Sequence, residues 1–282
     1  MEKGAKYFIQ DGQYFSVHEP SLTLHNRSFL YGDSLFESMH AYATEVPLLN
    51  FHFERLLKSM GILNMNIPRH FDILFLRDQI RNLCNKNRFF KSTRVRLTIF
   101  RKPGGLYTPE SNDVSFLMET VELPFQKFMH KSHGITLGLY TEYKKQVHVL
   151  SSLKSANALL FVMAGIFNKQ NNFDDCIILN ENGHVIETIA SNIFVLIDGK
   201  VHTPPISDGC LPGVMREAVI KLIGSDNVET GNSFDLQLIE EADEIFLSNA
   251  VSGLTSVRGY MQRRYFAAYS KDLAQKLNEE YF

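Results

Sequence analysis

The chain has 282 residues, 44% of them hydrophobic and 21% charged, and a formal net charge of −2. That length supports one large α/β domain or two smaller ones with a substantial core. So small a net charge gives no reason to expect nucleic acid or an anionic membrane as partner. Cys84, Cys176 and Cys210 lie far apart with no CxxC spacing, which suggests neither a disulfide framework nor a zinc site. They are expected to be reduced thiols packed as small apolar groups. No targeting segment is visible, and the longest apolar run, Leu159 to Phe167, is too short to span a bilayer. A cytoplasmic location follows by default.

In chain order, Tyr7 to Gln10 and Gln13 to Ser16 flank Asp11-Gly12 and predict a β-hairpin. Helical spacing of Phe53, Leu56, Leu57, Met60 and Leu63 predicts a helix over 52–63. A second is predicted over 71–85, with Ile73, Leu74, Leu76, Ile80 and Leu83 inward. Residues 94–100 and 113–121 predict strands. Within the first, Val95, Leu97 and Ile99 make a core face, and Arg94, Arg96, Thr98 and Phe100 the opposite, solvent or cleft face. Residues 123–132, with Pro124 and no clear periodicity, predict a connector between a small N-terminal domain over 1–122 and a larger one over 133–282. Beyond it come a strand over 135–141, a long helix starting near Lys154, and two hairpins around Glu181-Asn182-Gly183 and Asp198-Gly199. A helix after Pro212, a strand over 244–247 and a closing helix near Tyr269 complete the chain. The order predicts a mixed α+β or α/β fold in two domains, not a Rossmann sheet.

No GxGxxG follows a strand, and GxxxxGK[ST], HExxH and GxSxG are absent. His130 and His133 are three apart with no nearby carboxylate, so no metal is expected there. Four segments carry possible chemistry. Lys154 sits between the apolar end of 147–153 and an apolar helix. Such a setting frees a lysine amine to form a Schiff base, although a lysine near a helix start is ordinarily a solvated surface group. Glu187 interrupts an apolar strand just before Asn192 and needs a partner, which a pyridine nitrogen would supply; the plainer reading is a glutamate at a hairpin rim. Pro212-Gly213-Val214-Met215 opens a helix and offers main-chain N–H groups to a phosphate. Arg55, in Asn50-Phe51-His52-Phe53-Glu54-Arg55, could add a charge-assisted contact to the same phosphate.

These segments, in this order, resemble the fold-type IV pyridoxal-phosphate family of branched-chain aminotransferases, D-amino-acid aminotransferases and aminodeoxychorismate lyases. Asn26 to Glu37, Thr203-Pro204-Pro205 and Phe246-Leu247-Ser248-Asn249-Ala250 extend the resemblance along nearly the whole chain. It implies a two-domain enzyme with pyridoxal 5'-phosphate in an interdomain cleft, typically a homodimer with sites near the subunit interface. It further implies that Lys154 is the Schiff-base lysine and Glu187 the carboxylate at the ring nitrogen. Arg55, Gly213, Val214 and Met215 then serve the phosphate, Asn249 and Ala250 close over it, and Asn192 belongs to the cofactor shell. Arg96 becomes the first candidate for a substrate carboxylate, with Arg101, Tyr31, Phe36, His40 and Tyr107 as pocket walls.

Departures from the family pattern are specific. Ala158 stands where branched-chain members carry a tyrosine, and Met215 and Ala250 stand where many members have threonines. Leu106 stands where lyases place a second basic residue. The expected activity is transamination between an amino acid and a 2-oxo acid. Pyruvate elimination from 4-amino-4-deoxychorismate is the alternative, and an inactive binding protein on the same fold the second.

Overall fold

The computed structural model describes residues 4–128 and 133–282, so His130 and part of the expected connector lie outside the described residues. The chain divides into two compact units: Met1–Lys127 with Lys154–Asn157, and Phe128–Leu153 with Ala158–Phe282. The Lys154–Asn157 segment packs with the first unit although it follows the expected connector.

In the first unit the elements are β1 (Tyr7–Gln10), β2 (Gln13–Ser16), α1 (Arg27–Tyr31), β3 (Ser34–Ala41), α2 (Leu49–Ile62), α3 (Ile73–Asn87), β4 (Thr93–Arg101) and β5 (Val114–Glu122). Among the described residues they form a five-stranded antiparallel sheet in the order β2-β1-β5-β4-β3, which leaves β3 at an edge. Helix α2 lies on β3, and α3 on β1 and β5. Val95, Leu97 and Ile99 are buried, Arg94 is exposed and Arg96 and Thr98 are partly exposed, as the two predicted faces require, but Phe100, expected on the solvent or cleft face, is buried at 4% exposure. In α3 the inward stripe is Leu76, Ile80, Leu83 and Cys84. Leu74 is 60% exposed, because two positions before Leu76 it falls on the far side of the helix from that stripe.

The second unit contains β6 (Ile135–Lys145), α4 (Leu159–Asn171), β7 (Asp175–Asn180), β8 (Val185–Thr188), β9 (Asn192–Ile197), β10 (Lys200–His202), α5 (Val214–Ile223), β11 (Val228–Glu229), α6 (Leu236–Glu241), β12 (Glu244–Asn249), β13 (Gly253–Tyr260), β14 (Arg263–Arg264) and α7 (Tyr269–Tyr281). Its strands form a mixed sheet in the order β11-β10-β9-β12-β13-β6-β7-β8, with β14 paired to β13. Alternation along β7 sends Ile177 and Leu179 into a cluster with Val185, Ile193, Val195, Ile245 and Val257. Cys176 and Ile178 enter another with Tyr140, Ile186 and Ala164 of α4. Both faces are covered, which is why β7 is apolar at consecutive positions. The fold is mixed α/β, as the element order predicts.

All three cysteines are buried, and burial pushes each thiol up to about 12. They pack as small apolar groups and are poor nucleophiles. No helix among the described residues is long and apolar enough to cross a membrane.

Candidate active site

Lys154 does not open a helix; α4 begins only at Leu159. Residues 149–152 form a single 3-10 turn, after which Lys154–Ala156 run extended beside β3. Phe36 N–H donates to Lys154 C=O at 2.8 Å, and Ala156 N–H donates to Ser34 C=O at 3.1 Å. An edge strand offers unpaired main-chain groups, and here they hold the lysine segment in register. Gly32, at φ 65°, closes the arrangement: a Cβ there would meet Asn157 Oδ1 at 2.7 Å. The Lys154 ammonium lies 4.5 Å from the Phe36 ring centroid, and the Arg96 guanidinium lies 3.9 Å from the same centroid. The structure thus brings Lys154, Phe36 and Arg96 together within one unit.

The opposite face of β3 carries a buried polar cluster. Glu37, 2% exposed, accepts from Arg55 through Nε at 2.8 Å and also through Nη2, and His52 Nδ1 lies 2.7 Å from Glu37 Oε2. His52 and Arg55 are one helical turn apart on α2, so both reach the same strand residue. Burial pulls the Glu37 carboxyl upward, but Arg55 and then His52 outweigh it and hold the group at about 2. Burial pushes His52 below its ordinary value, with Glu37 opposing. His52 Nε2 is buried with no partner among the described residues.

A carboxylate depressed in the folded state contributes stability above its ordinary value of 4.5 and loses it as pH falls toward about 2. The urea midpoint should therefore drop across that acid window. Glu37→Gln should flatten that part of the profile and cost about 3 kcal/mol at pH 7, because it leaves a buried arginine without its counter-charge. An unchanged acid slope in the variant would remove Glu37 from this account.

The predicted pocket walls separate on inspection. Tyr31 packs against Tyr107 at 5.5 Å between ring centroids, and Tyr107 is 88% exposed. Arg96 is partly exposed, with Glu119 3.9 Å away. Two of the expected wall residues, Arg101 and His40, are buried. Arg101 is buried and structural: Nε donates to Asp33 Oδ2 at 3.0 Å, Nη2 to Leu63 C=O at 2.8 Å, and Nη1 to Asn112 Oδ1. Together with Arg27, which donates to Asp33 at 2.8 Å and to Leu106 C=O at 2.6 Å, it anchors the loop between β4 and β5. His40 is also buried, its Nε2 2.8 Å from Ser92 Oγ and its ring edge-on to Phe125.

In the second unit Glu187, Asn192 and Gly213 are connected through Leu211. Glu187 on β8 is 4% exposed. Its Oε2 accepts from Leu211 N–H at 3.0 Å, and its Oε1 accepts from Lys145 Nζ at 2.5 Å. It is thus a buried, paired carboxylate rather than a hairpin-rim residue. Leu211 C=O in turn accepts from Asn192 Nδ2 at 2.8 Å. Asn192 Oδ1 fills the space a side chain on Gly213 would need, only 1.8 Å from where its Cβ would stand. Gly213 is the N-cap of α5 and supplies no capping side chain, so the helix starts at Val214 rather than at Pro212. The first N–H groups of α5 receive no N-cap side chain and carry the positive end of the helix dipole. Val214 and Met215 bury their side chains and can contribute only main chain. Asn249 uses its side chain locally: Nδ2 donates to Ala190 C=O at 2.6 Å, and Oδ1 accepts from Val251 N–H at 2.8 Å. Neighbouring Ala250 has only a methyl group to add.

This cradle fits a ring bearing both a cationic nitrogen and a phosphate. A buried carboxylate and a helix start without a capping side chain are tied together through Leu211 and Asn192, and only a glycine at 213 leaves room for the Asn192 side chain that makes the tie. Residues that sequence reasoning missed are Lys145, Glu37 and His52. Only the His52-to-Arg55 spacing on a helix gave any signal.

The profile of the amino-transferase class IV family matches residues 34–260. Aminodeoxychorismate lyase of Vibrio harveyi is 27% identical over 240 residues, spanning 84% of this chain and 86% of its own. Among solved structures, the branched-chain aminotransferase of Thermoproteus uzoniensis with norvaline has a TM-score of 0.87 at 25% identity, covering 97% of this chain and 94% of that one. The branched-chain amino acid aminotransferase of Escherichia coli shares the fold with a TM-score of 0.84 at 22% identity, covering 96% of this chain and 92% of that one.

Proposed function

The chain belongs to the class IV amino-transferase family, and on that premise we propose that it moves an amino group between an amino acid and a 2-oxo acid, with pyridoxal 5'-phosphate as cofactor. The observation that carries the reading is the Glu187–Leu211–Asn192–Gly213 run, which joins a buried carboxylate to a helix start without a capping side chain.

When bound, the cofactor supplies an aldehyde for the substrate amine and a protonated ring that draws electrons from the substrate's Cα. Lys154 is the residue that would hold the cofactor's aldehyde, and its amine would carry the proton taken from the substrate's Cα. Glu187 holds a proton at the ring nitrogen. The Val214 and Met215 amides would hold the phosphate, helped by the α5 dipole, and Arg55, whose guanidinium is oriented by Glu37, is the arginine that would add a charge-assisted contact. Asn192 is a strut that sets the Leu211–Gly213 turn, and Asn249 shapes the adjoining turn through its side chain. Arg96 clamps the substrate carboxylate, with Phe36, Tyr31 and Tyr107 bounding the side chain. A homodimer is consistent with α4, which is apolar on most sides yet leaves Leu159, Val162 and Ile166 exposed.

The testing experiment is a panel of L- and D-amino acids, each with a 2-oxo acid acceptor. Transamination requires donor loss matched by amination of the acceptor. Pyruvate release from 4-amino-4-deoxychorismate without an acceptor would establish the lyase activity instead.

Arg96→Leu should raise KM for the carboxylate substrate by about ten- to a hundredfold, the worth of one charge-assisted contact. Cofactor affinity and fold should be unchanged, and Arg96→Lys should rescue only in part because it lacks the planar fork. An unchanged KM for every working substrate would make Arg96 a solvated strand residue.

A further inference from the structure

Lys145 has no role in the reading above, yet it makes the shortest polar contact of the cradle. It is the last residue of β6, paired in register with Asn180 of β7. Its side chain is 12% exposed and its Nζ lies 2.5 Å from Glu187 Oε1. The same ammonium lies 5.4 Å from the Phe161 ring centroid on α4, so it is held from a second side. Burying an ion pair costs desolvation that its attraction seldom returns, and a well-packed apolar pair usually serves the fold as well. A carboxylate has about four lone-pair directions on its two oxygens. Lys145 takes one on Oε1 and Leu211 N–H takes one on Oε2, so Glu187 retains acceptor capacity for a further donor.

We propose that Lys145 is a positioning residue for Glu187. It supplies the carboxylate's counter-charge in the cofactor-free protein and shares that carboxylate with the ring nitrogen of the bound cofactor. The inference rests on the cofactor reading above. With Lys145 present, Glu187 has a cationic partner before and after binding. Without it, the ring N–H is the only remaining cationic partner, and binding comes to depend far more on the ring nitrogen.

The test compares dissociation constants of pyridoxal 5'-phosphate and its 1-deaza analogue, in which carbon replaces the ring nitrogen, for wild type, Lys145→Met and Lys145→Arg. The ratio of the analogue's constant to the cofactor's should rise at least about tenfold in Lys145→Met and stay near wild type in Lys145→Arg. If Lys145→Met does not fold, Lys145→Gln keeps a donor without the charge and is read against the same two outcomes. A ratio within twofold of wild type would overturn the inference even if melting temperature falls, because a merely structural lysine leaves the ratio unmoved. Wild type binding neither compound would overturn the cofactor reading itself, and this inference with it.

Discussion

Lys154→Ala should abolish transamination, with turnover falling by about four orders of magnitude or more, since the covalent hold and the proton carrier disappear together. The structure makes the variant a clean one. What ties the segment to β3 is main chain: Phe36 N–H on Lys154 C=O, and Ala156 N–H on Ser34 C=O. Alanine keeps both bonds, so the fold and the Arg96–Phe36 contact should survive, and the cofactor should still bind weakly through its phosphate. Steady-state turnover alongside thermal unfolding separates the outcomes. Near-wild-type transamination in a folded Lys154→Ala protein would remove the lysine from the chemistry.

Glu187→Gln should keep the cofactor but lower turnover about a hundred- to a thousandfold, the range for removing one preorganised charge contact from a site shielded from water. The amide can still accept from Leu211 N–H, so the link to Asn192 and the α5 start persists. The charge is lost, and with it the hold on a protonated ring. The variant also leaves the Lys145 ammonium buried without its counter-charge, so some stability should be lost. Adding Lys145→Met to Glu187→Gln should recover that stability without recovering turnover. A Glu187→Gln enzyme within twofold of wild type would mean that the carboxylate serves only to anchor Leu211.

The helices with clear apolar stripes and the hairpins with turn dipeptides were legible because their signals are local. Strand β3 was not. Its sequence, Ser-Leu-Phe-Glu-Ser-Met-His-Ala, buries Glu37 and His40. A polar residue looks solvent-facing until its partners, Arg55, His52 and Ser92, are known. The start of α4 was misread for a related reason. The extended run at Lys154–Ala156 is set by pairing with an edge strand more than a hundred residues earlier, which no local preference encodes. Lys154 and Glu187 stood out through their resemblance to a family pattern, whereas Lys145 did not. Its pairing depends on β6, β7 and β8 lying side by side in the sheet, and a lysine at a strand end reads as solvated. Arg101 shows the converse: an arginine that reads as available for a pocket donates to Asp33, Asn112 and Leu63, partners that only the tertiary structure reveals.

The central claim is that Lys154 is the lysine that holds the cofactor, and borohydride reduction followed by peptide mass mapping tests it most directly. The protein, loaded with pyridoxal 5'-phosphate, is reduced, digested and searched for the phosphopyridoxyl mass on each lysine. The account predicts stoichiometric label on Lys154, and loss of that label when an amino-acid donor is added before reduction. Label on Lys145 or any other lysine, or no fixed cofactor at all, would contradict it.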